Sequence, residues 1–183
     1  MKDNWQQQLK TLLNCDLKSL FPLARSLDRK LKFFVGPTNS GKTYNAMQEL
    51  KESNSGLYLA PLRLLALEGY EDLKEKKIDV SLITGEEQII NEDAAHVCST
   101  IEMIDFNLDV DVAVIDEIQM LGDIERGWAW VNAIIGCPAK TIIMTGSVNA
   151  LDAVKKIVDY LGEELEVVKH QRKTPLKVLP RHT

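Results

Sequence analysis

The sequence predicts an α/β domain: a mainly parallel sheet with helices on both faces, preceded by a short helical segment. Three observations carry that prediction. Short apolar runs of strand length alternate with helix-length patterns, as βαβ crossovers require. One run, Phe33-Phe34-Val35, breaks directly into Gly36-Pro37-Thr38-Asn39-Ser40-Gly41-Lys42-Thr43 and then into a helical pattern. Polar clusters fall just past the C-terminal ends of the runs, where an open α/β sheet gathers its ligands.

Taken in order, residues 1–30 read as helical. Trp5, Leu9, Leu12 and Leu13 recur on one face, followed by Leu17, Leu20, Phe21, Leu23 and Leu27. Pro22 marks a break or a first helical turn. The first strand and its glycine loop lead into a helix running to Leu50. Gly56 to Ala60 is a second strand, stopped by Pro61, and a helix begins in Leu62-Arg63-Leu64-Leu65. Val80 to Ile83 is a third, ending in Thr84-Gly85-Glu86-Glu87. His96 to Ser99 is a fourth, followed by Thr100-Ile101-Glu102-Met103. Val112 to Ile115 is a fifth, ending in Asp116-Glu117, and Thr141 to Met144 a sixth, ending in Thr145-Gly146-Ser147. Helices fit Trp128–Ile135 and Ala150–Leu161, and Glu166 to Val168 reads as an edge strand. The basic, proline-broken stretch from Lys169 to Pro175 reads as a surface exit segment or the start of a linker.

The glycine loop carries the first chemistry. In G-x-x-x-x-G-K-T between strand and helix, Gly36 and Gly41 allow the backbone N–H groups to close around an anion. The helix start adds its positive dipole end. Lys42 would reach the β- and γ-phosphates of a nucleotide, and the Thr43 hydroxyl would hold Mg²⁺. Pro37, Thr38, Asn39 and Ser40 complete the loop. The second signal is the strand that delivers Asp116 and Glu117, a Walker B arrangement. There Asp116 would hold Mg²⁺ and Glu117 would act as general base on the attacking water, with Gln119 sensing the γ-phosphate or orienting that water. ATP and Mg²⁺ are the expected cofactors.

Weaker signals surround these. Thr145-Gly146-Ser147 would relay the nucleotide state, although a Gly-Ser turn is common. Arg63, Thr84, Gly85 and Thr100 occupy successive strand-end loops, where they would touch a phosphodiester backbone; in isolation each also reads as a cap or turn residue. Glu86, Glu87 and Glu102 would repel phosphate, so a structural, orienting or base-facing role is expected. Trp128 and Trp130 fit core packing better than base stacking. Arg25, Arg29, Lys30 and Lys32 read first as a solvated helix end, and second as a border of the nucleotide base. His96 reads as packed, whereas His170 and His182 lie in the basic tail.

Composition bounds the rest. The 183 residues, 45% hydrophobic and 27% charged, suit one α/β domain with a sizeable core. A formal charge of −5 argues against a broadly basic nucleic-acid coat but permits a local groove. Cys15, Cys98 and Cys137 have neither zinc nor disulfide spacing and read as buried thiols. No apolar run reaches membrane-spanning length. The N-terminus has neither a signal h-region nor an Arg-rich transit pattern. The expectation is a cytoplasmic protein, or a fragment whose targeting segment was left out.

These motifs together resemble the ATP-dependent RNA helicase of the mitochondrial degradosome and its bacterial relatives, a superfamily-two DExH-type group. Gly36 to Tyr44 looks like motif I, and Ala60 to Glu68 like motif Ia. Thr84-Gly85-Glu86-Glu87 looks like motif Ib, and Ser99 to Met103 like the segment after it. Asp116 to Met120 with Arg126-Gly127-Trp128-Ala129-Trp130 resembles motif II and its trailing helix. The likeness runs from about Phe21 to Leu179. It implies a first RecA-like ATPase domain over 31–170, with 1–30 a helical lead-in and 171–183 an exit toward a second RecA-like domain. It also implies a single nucleic-acid strand as the gripped polymer, RNA with DNA as the alternative, an exoribonuclease partner, and a mitochondrial location if a transit peptide was removed.

Motif II reads Asp-Glu-Ile-Gln, usual for this family, while motif III reads Thr145-Gly146-Ser147 where Cys-Gly and an acid are expected. The family draws its arginine fingers from the second domain. If this chain is complete, the expectation is weak ATP binding, very slow hydrolysis and no processive unwinding. A type II thymidine kinase shares the Gly-Pro-x-x-Ser-Gly-Lys loop and Asp-Glu-x-Gln, but needs zinc-ribbon cysteines that this chain lacks. A non-catalytic nucleotide-binding regulator is a third reading, opposed by the intact Lys42, Asp116 and Glu117.

Overall fold

The computed structural model describes residues 6–7, 17–37 and 40–171. Most of the helical reading of residues 1–16, and the readings of Cys15, Thr38, Asn39 and His182, lie outside the described residues. Helices α1 (Pro22–Ser26), α2 (Lys42–Glu52), α3 (Arg63–Glu75), α4 (Gly127–Gly136) and α5 (Leu151–Leu161) alternate with strands. The strands are β1 (Lys30–Val35), β2 (Gly56–Ala60), β3 (Val80–Ile83), β4 (Gln88–Ile89), β5 (His96–Thr100), β6 (Val110–Ile115), β7 (Ala139–Gly146) and β8 (Leu165–Lys169). Short 3₁₀ turns follow β5, β6 and β7 at Ile101–Met103, Ile118–Gly122 and Val148–Ala150.

The strands form one sheet in the order β4-β3-β5-β2-β6-β7-β1-β8. All neighbours are parallel except β3 and β4. Because side chains alternate across a strand, the sheet has two apolar faces. Leu31, Phe33 and Val35 of β1 join Leu59, Ile115, Ile142 and Met144 in a core with Trp130, Ile134, Val154 and Ile157 of α4 and α5. Phe34, Tyr58, Leu82, Cys98, Val114 and Ile143 form the opposite core with Ala46, Leu50, Ala66 and Leu73 of α2 and α3. Helices thus cover both faces, as a parallel sheet demands.

The registers bring the strand ends to one rim. Val35 pairs with Gly146, Ile115 with Met144 and with Leu59, Ala60 with Thr100, and Ile83 with Ser99. The glycine loop and Asp116 follow β1 and β6, and Thr145 lies at the end of β7, on one half of that rim. Arg63 and Thr84 follow β2 and β3, and Thr100 ends β5, on the other half.

Two sequence expectations need correction. The arginines of the basic cluster are not a solvated helix end, although Lys30 is exposed at the start of β1. Arg29 is only 6% exposed; its Nε and Nη2 donate to Glu163 Oε2 and Oε1 at 3.0 and 2.5 Å, and its Nη1 to the Cys137 carbonyl at 2.9 Å. Arg25 Nη2 donates to the Ile135 carbonyl at 2.6 Å. A guanidinium is buried here because its fixed fork finds acceptors across the α4–β7 and α5–β8 connections. The tryptophans also do not act as a pair. Trp130 is fully buried, while Trp128, on the other side of α4, is 53% exposed. Strand β4 was unforeseen, because both of its residues are exposed and carry no apolar run.

Candidate functional site

The glycine loop begins where β1 runs out. Gly36 N–H donates to the Gly146 carbonyl at 3.1 Å, so the loop starts by leaning on β7. A Cβ on Gly36 would stand 2.5 Å from the His170 carbonyl and 2.8 Å from Ser40 Oγ. The position excludes any side chain. Gly41 caps α2 with φ 84° and ψ 7°, left-handed backbone that glycine adopts without strain. Lys42 Nζ donates to the Pro37 carbonyl at 3.0 Å, which holds the ammonium over the loop. Ser40 is buried, and its hydroxyl has no hydrogen-bond acceptor or donor among the described residues.

Asp116 is the hub. Its carboxylate is 3% exposed and gathers hydroxyls from three elements. Oδ1 accepts from Thr145 at 2.5 Å, from Thr43 at 3.3 Å and from the Glu117 N–H at 3.1 Å. Oδ2 accepts from the Tyr58 hydroxyl at 2.7 Å. Its backbone carbonyl accepts from Trp130 Nε1 at 3.0 Å. Burial first, then the charge of Asp116, raise the Tyr58 phenol well above its ordinary pKa, so it remains a donor. Together Thr43, Tyr58, Asp116 and Glu117 face a pocket of about 430 Å³ between α2 and α3.

Glu117 stands beside the hub in left-handed backbone, φ 56° and ψ 54°. Its Oε2 accepts from Gln119 Nε2 at 2.5 Å, and Gln119 Oε1 accepts from the Ser147 N–H at 3.3 Å. Gln119 therefore orients Glu117 and ties it to the end of β7. A Cβ on Gly146 would meet Gln119 Oε1 at 2.6 Å, which explains the bare position there. The Ser147 hydroxyl donates to Asn149.

The outer half of the rim is organised by ion pairs. Arg63 Nε lies 2.9 Å from Glu87 and 3.5 Å from Glu86. Thr84 is 2% exposed, and its hydroxyl accepts from the Glu86 and Glu87 N–H groups at 3.2 and 3.0 Å. That side chain builds the β3–β4 turn, leaving the exposed Gly85 backbone outermost. Thr100 is half-buried at the head of its 3₁₀ turn and makes no side-chain cap. Arg126 joins these loops: Nε and Nη2 donate to Glu102 at 2.8 and 3.1 Å, and Nη2 to the Pro61 carbonyl at 2.8 Å. Its guanidinium lies 5.1 Å from the Trp130 ring centroid. The three glutamates thus do orienting work.

Sequence reasoning did not single out Tyr58 or the Arg126 junction. A phenol inside a run as apolar as Gly-Leu-Tyr-Leu-Ala was the available signal, since a buried hydroxyl must find an acceptor. Arg126 offered no local signal, because its acceptors lie on β2 and β5 loops far away in sequence.

A glycine phosphate loop, an Asp-Glu pair two strands away and one intervening strand carrying Thr145 define a RecA-like P-loop domain. Solved structures agree on the fold. The Pyrococcus furiosus Hef helicase domain superposes with TM-score 0.54 at 19% identity, over 96% of this chain and 40% of that one. A DEAD box protein from Methanococcus jannaschii does so at 0.54 and 21%, over 81% and 47%. The model of the DEXQ-box helicase domain of Suv3 matches residues 18–170, and the chain belongs to that family. The Caenorhabditis elegans ATP-dependent RNA helicase SUV3 homolog, mitochondrial, is 45% identical over 162 residues, 86% of this chain and 22% of the relative. The human ATP-dependent RNA helicase SUPV3L1, mitochondrial, is 43% identical over 163 residues, 87% of this chain and 21% of the relative. The chain spans about a fifth of the length of these relatives. Membership of this family sets aside the thymidine kinase reading.

Proposed function

We propose that this chain is the nucleotide-hydrolysing first half of an ATP-dependent RNA helicase motor. The observation that carries the reading is the 3.3 Å approach of Thr43 Oγ1 to Asp116 Oδ1, with Glu117 alongside. The residues suit a Mg²⁺-triphosphate: Ser40 offers an unengaged buried hydroxyl, and Thr43 and Asp116 supply the hard oxygen donors that Mg²⁺ takes. Mg²⁺ held there would supply positive charge to offset that of the terminal phosphates.

The protein's own groups do the rest. The ammonium of Lys42 leaves Pro37 O to bind the terminal phosphates, with the N–H groups at the start of α2. Thr43 and Asp116 hold the metal, Asp116 being fixed in turn by Thr145. Glu117 takes the proton of the attacking water, and Gln119 holds its carboxylate in line. Thr145, Gly146 and Ser147 couple that side to the outer loops. There Arg63 exchanges Glu86 and Glu87 for an RNA phosphate, the Gly85 and Thr84 backbone and Thr100 lie along the strand, and single-stranded RNA is the polymer. The human relative's name, an RNA helicase in mitochondria, supports that choice of polymer and a mitochondrial setting.

Phosphate release with Mg²⁺ and ATP tests the reading. Glu117→Gln is expected to retain nucleotide binding and lose roughly 10²–10⁴-fold in turnover, the share a positioned base contributes. Lys42→Ala is expected to lose nucleotide binding itself. Equal turnover by wild type and Glu117→Gln overturns the assignment.

A further inference from the structure

Strand β6 has two neighbours, β2 and β7, and each sends one hydroxyl to a different oxygen of Asp116. Thr145 of β7 donates to Oδ1 at 2.5 Å, and Tyr58 of β2 donates to Oδ2 at 2.7 Å. A carboxylate turns freely about its Cβ–Cγ bond unless both oxygens are held. Held from both flanks, the plane of Asp116 is set by the sheet, and Oδ1 is left toward Thr43 at 3.3 Å.

The Tyr58 ring is itself fixed. It is 3% exposed, and a Cβ on Gly69 of α3 would stand 2.8 Å from its Cδ2. Tyrosine and glycine line the same pocket as Thr43, Asp116 and Glu117. The ring therefore rests on α3 while its hydroxyl reaches the sheet's functional rim.

We propose that the Tyr58 hydroxyl is a positioning group for the divalent metal of the nucleotide site, acting by fixing the Asp116 carboxylate. This rests on the nucleotide reading above. Tyr58 touches neither metal nor nucleotide in this scheme. Outer-shell groups of this kind orient metal ligands and tune their basicity.

The test is Mn²⁺ binding, read by electron paramagnetic resonance with ADP present, on wild type and Tyr58→Phe. Alongside it runs ADP binding in EDTA. Phenylalanine keeps the ring and removes one O–H. Mn²⁺ affinity is expected to fall by about tenfold, the low end for loss of an outer-shell group. Metal-free ADP binding is expected to be unchanged. Gly69→Ala keeps the hydroxyl and displaces the ring, and is expected to give the same selective loss, so the idea survives a poorly folding Tyr58→Phe. Wild-type Mn²⁺ affinity in both variants overturns the proposal, as does a parallel loss of metal-free ADP binding. If wild type has no ADP-dependent Mn²⁺ site, the nucleotide reading fails and this inference falls with it.

Discussion

Glu117 sits in a backbone region that carries a cost of roughly 1–3 kcal/mol for a residue with a side chain. The strain aims its carboxylate away from β6 and toward Gln119, rather than letting the chain run straight on. Arg29 is the opposite case, a charge buried for cohesion. Its carboxylate acceptor, Glu163, is itself mostly covered, with 17% of its side chain exposed. Removing Arg29 leaves Glu163 with only the longer 4.0 Å approach of Arg25, so Arg29→Met is expected to lower stability by about 3 kcal/mol in urea unfolding. Simultaneous Glu163→Leu should recover part of that loss, since the pair rather than either charge alone is the stable unit. The two described cysteines are inert by burial, which lifts the Cys98 thiol and pushes the Cys137 thiol up to about 12.

At the scale of elements, α4 is the part most tightly keyed to the site. Its first residue, Gly127, leaves no space: a Cβ there would stand 2.3 Å from the Leu121 carbonyl oxygen. One turn on, Trp130 holds the Asp116 carbonyl. Gly127→Ala is therefore expected to cost about 1–3 kcal/mol by overpacking, read as a lower urea midpoint. Gly85→Ala, which meets nothing within 4 Å, should leave the midpoint unchanged. Element by element, strands β2, β3, β5, β6 and β7 were legible because each is an apolar run ended by a turn residue, but the expected alternation with helices lapses between β3 and β6, where β4 and a 3₁₀ turn take the place of helices. The strand starts were less legible. β1 begins at Lys30 and β6 at Val110, because pairing with a neighbour extends a strand into polar sequence. The phosphate loop and the Asp-Glu pair were legible for a local reason, as their spacing is covalent. The roles of Tyr58, Arg126 and Arg29 depend on strand order, which no local pattern carries.

Across the whole molecule, charge and topology divide the rim. The groups proposed to face the nucleotide lie at the ends of β1, β7 and β6, and Arg63, Thr84 and Thr100 at the ends of β2, β3 and β5. With a formal charge of −5, non-specific attraction to nucleic acid is expected to be weak, and Arg63 and Arg126 of the outer loops are already ion-paired. Affinity for a single-stranded oligoribonucleotide, followed by fluorescence anisotropy in rising KCl, is expected to fall linearly on log–log axes. The slope should be shallow, about −0.7 for each phosphate neutralised. Salt-independent binding would refute a backbone grip.

The last described strand has a mechanical corollary. His170 N–H is bonded to the Val35 carbonyl at 2.7 Å, its ring centroid is 5.0 Å from that of Phe34, and its own carbonyl abuts Gly36. The polypeptide thus departs through a latch on the very strand that feeds the phosphate loop. A pull applied at Gln171 would load β1 before the other strands, and with it the loop proposed to hold phosphate.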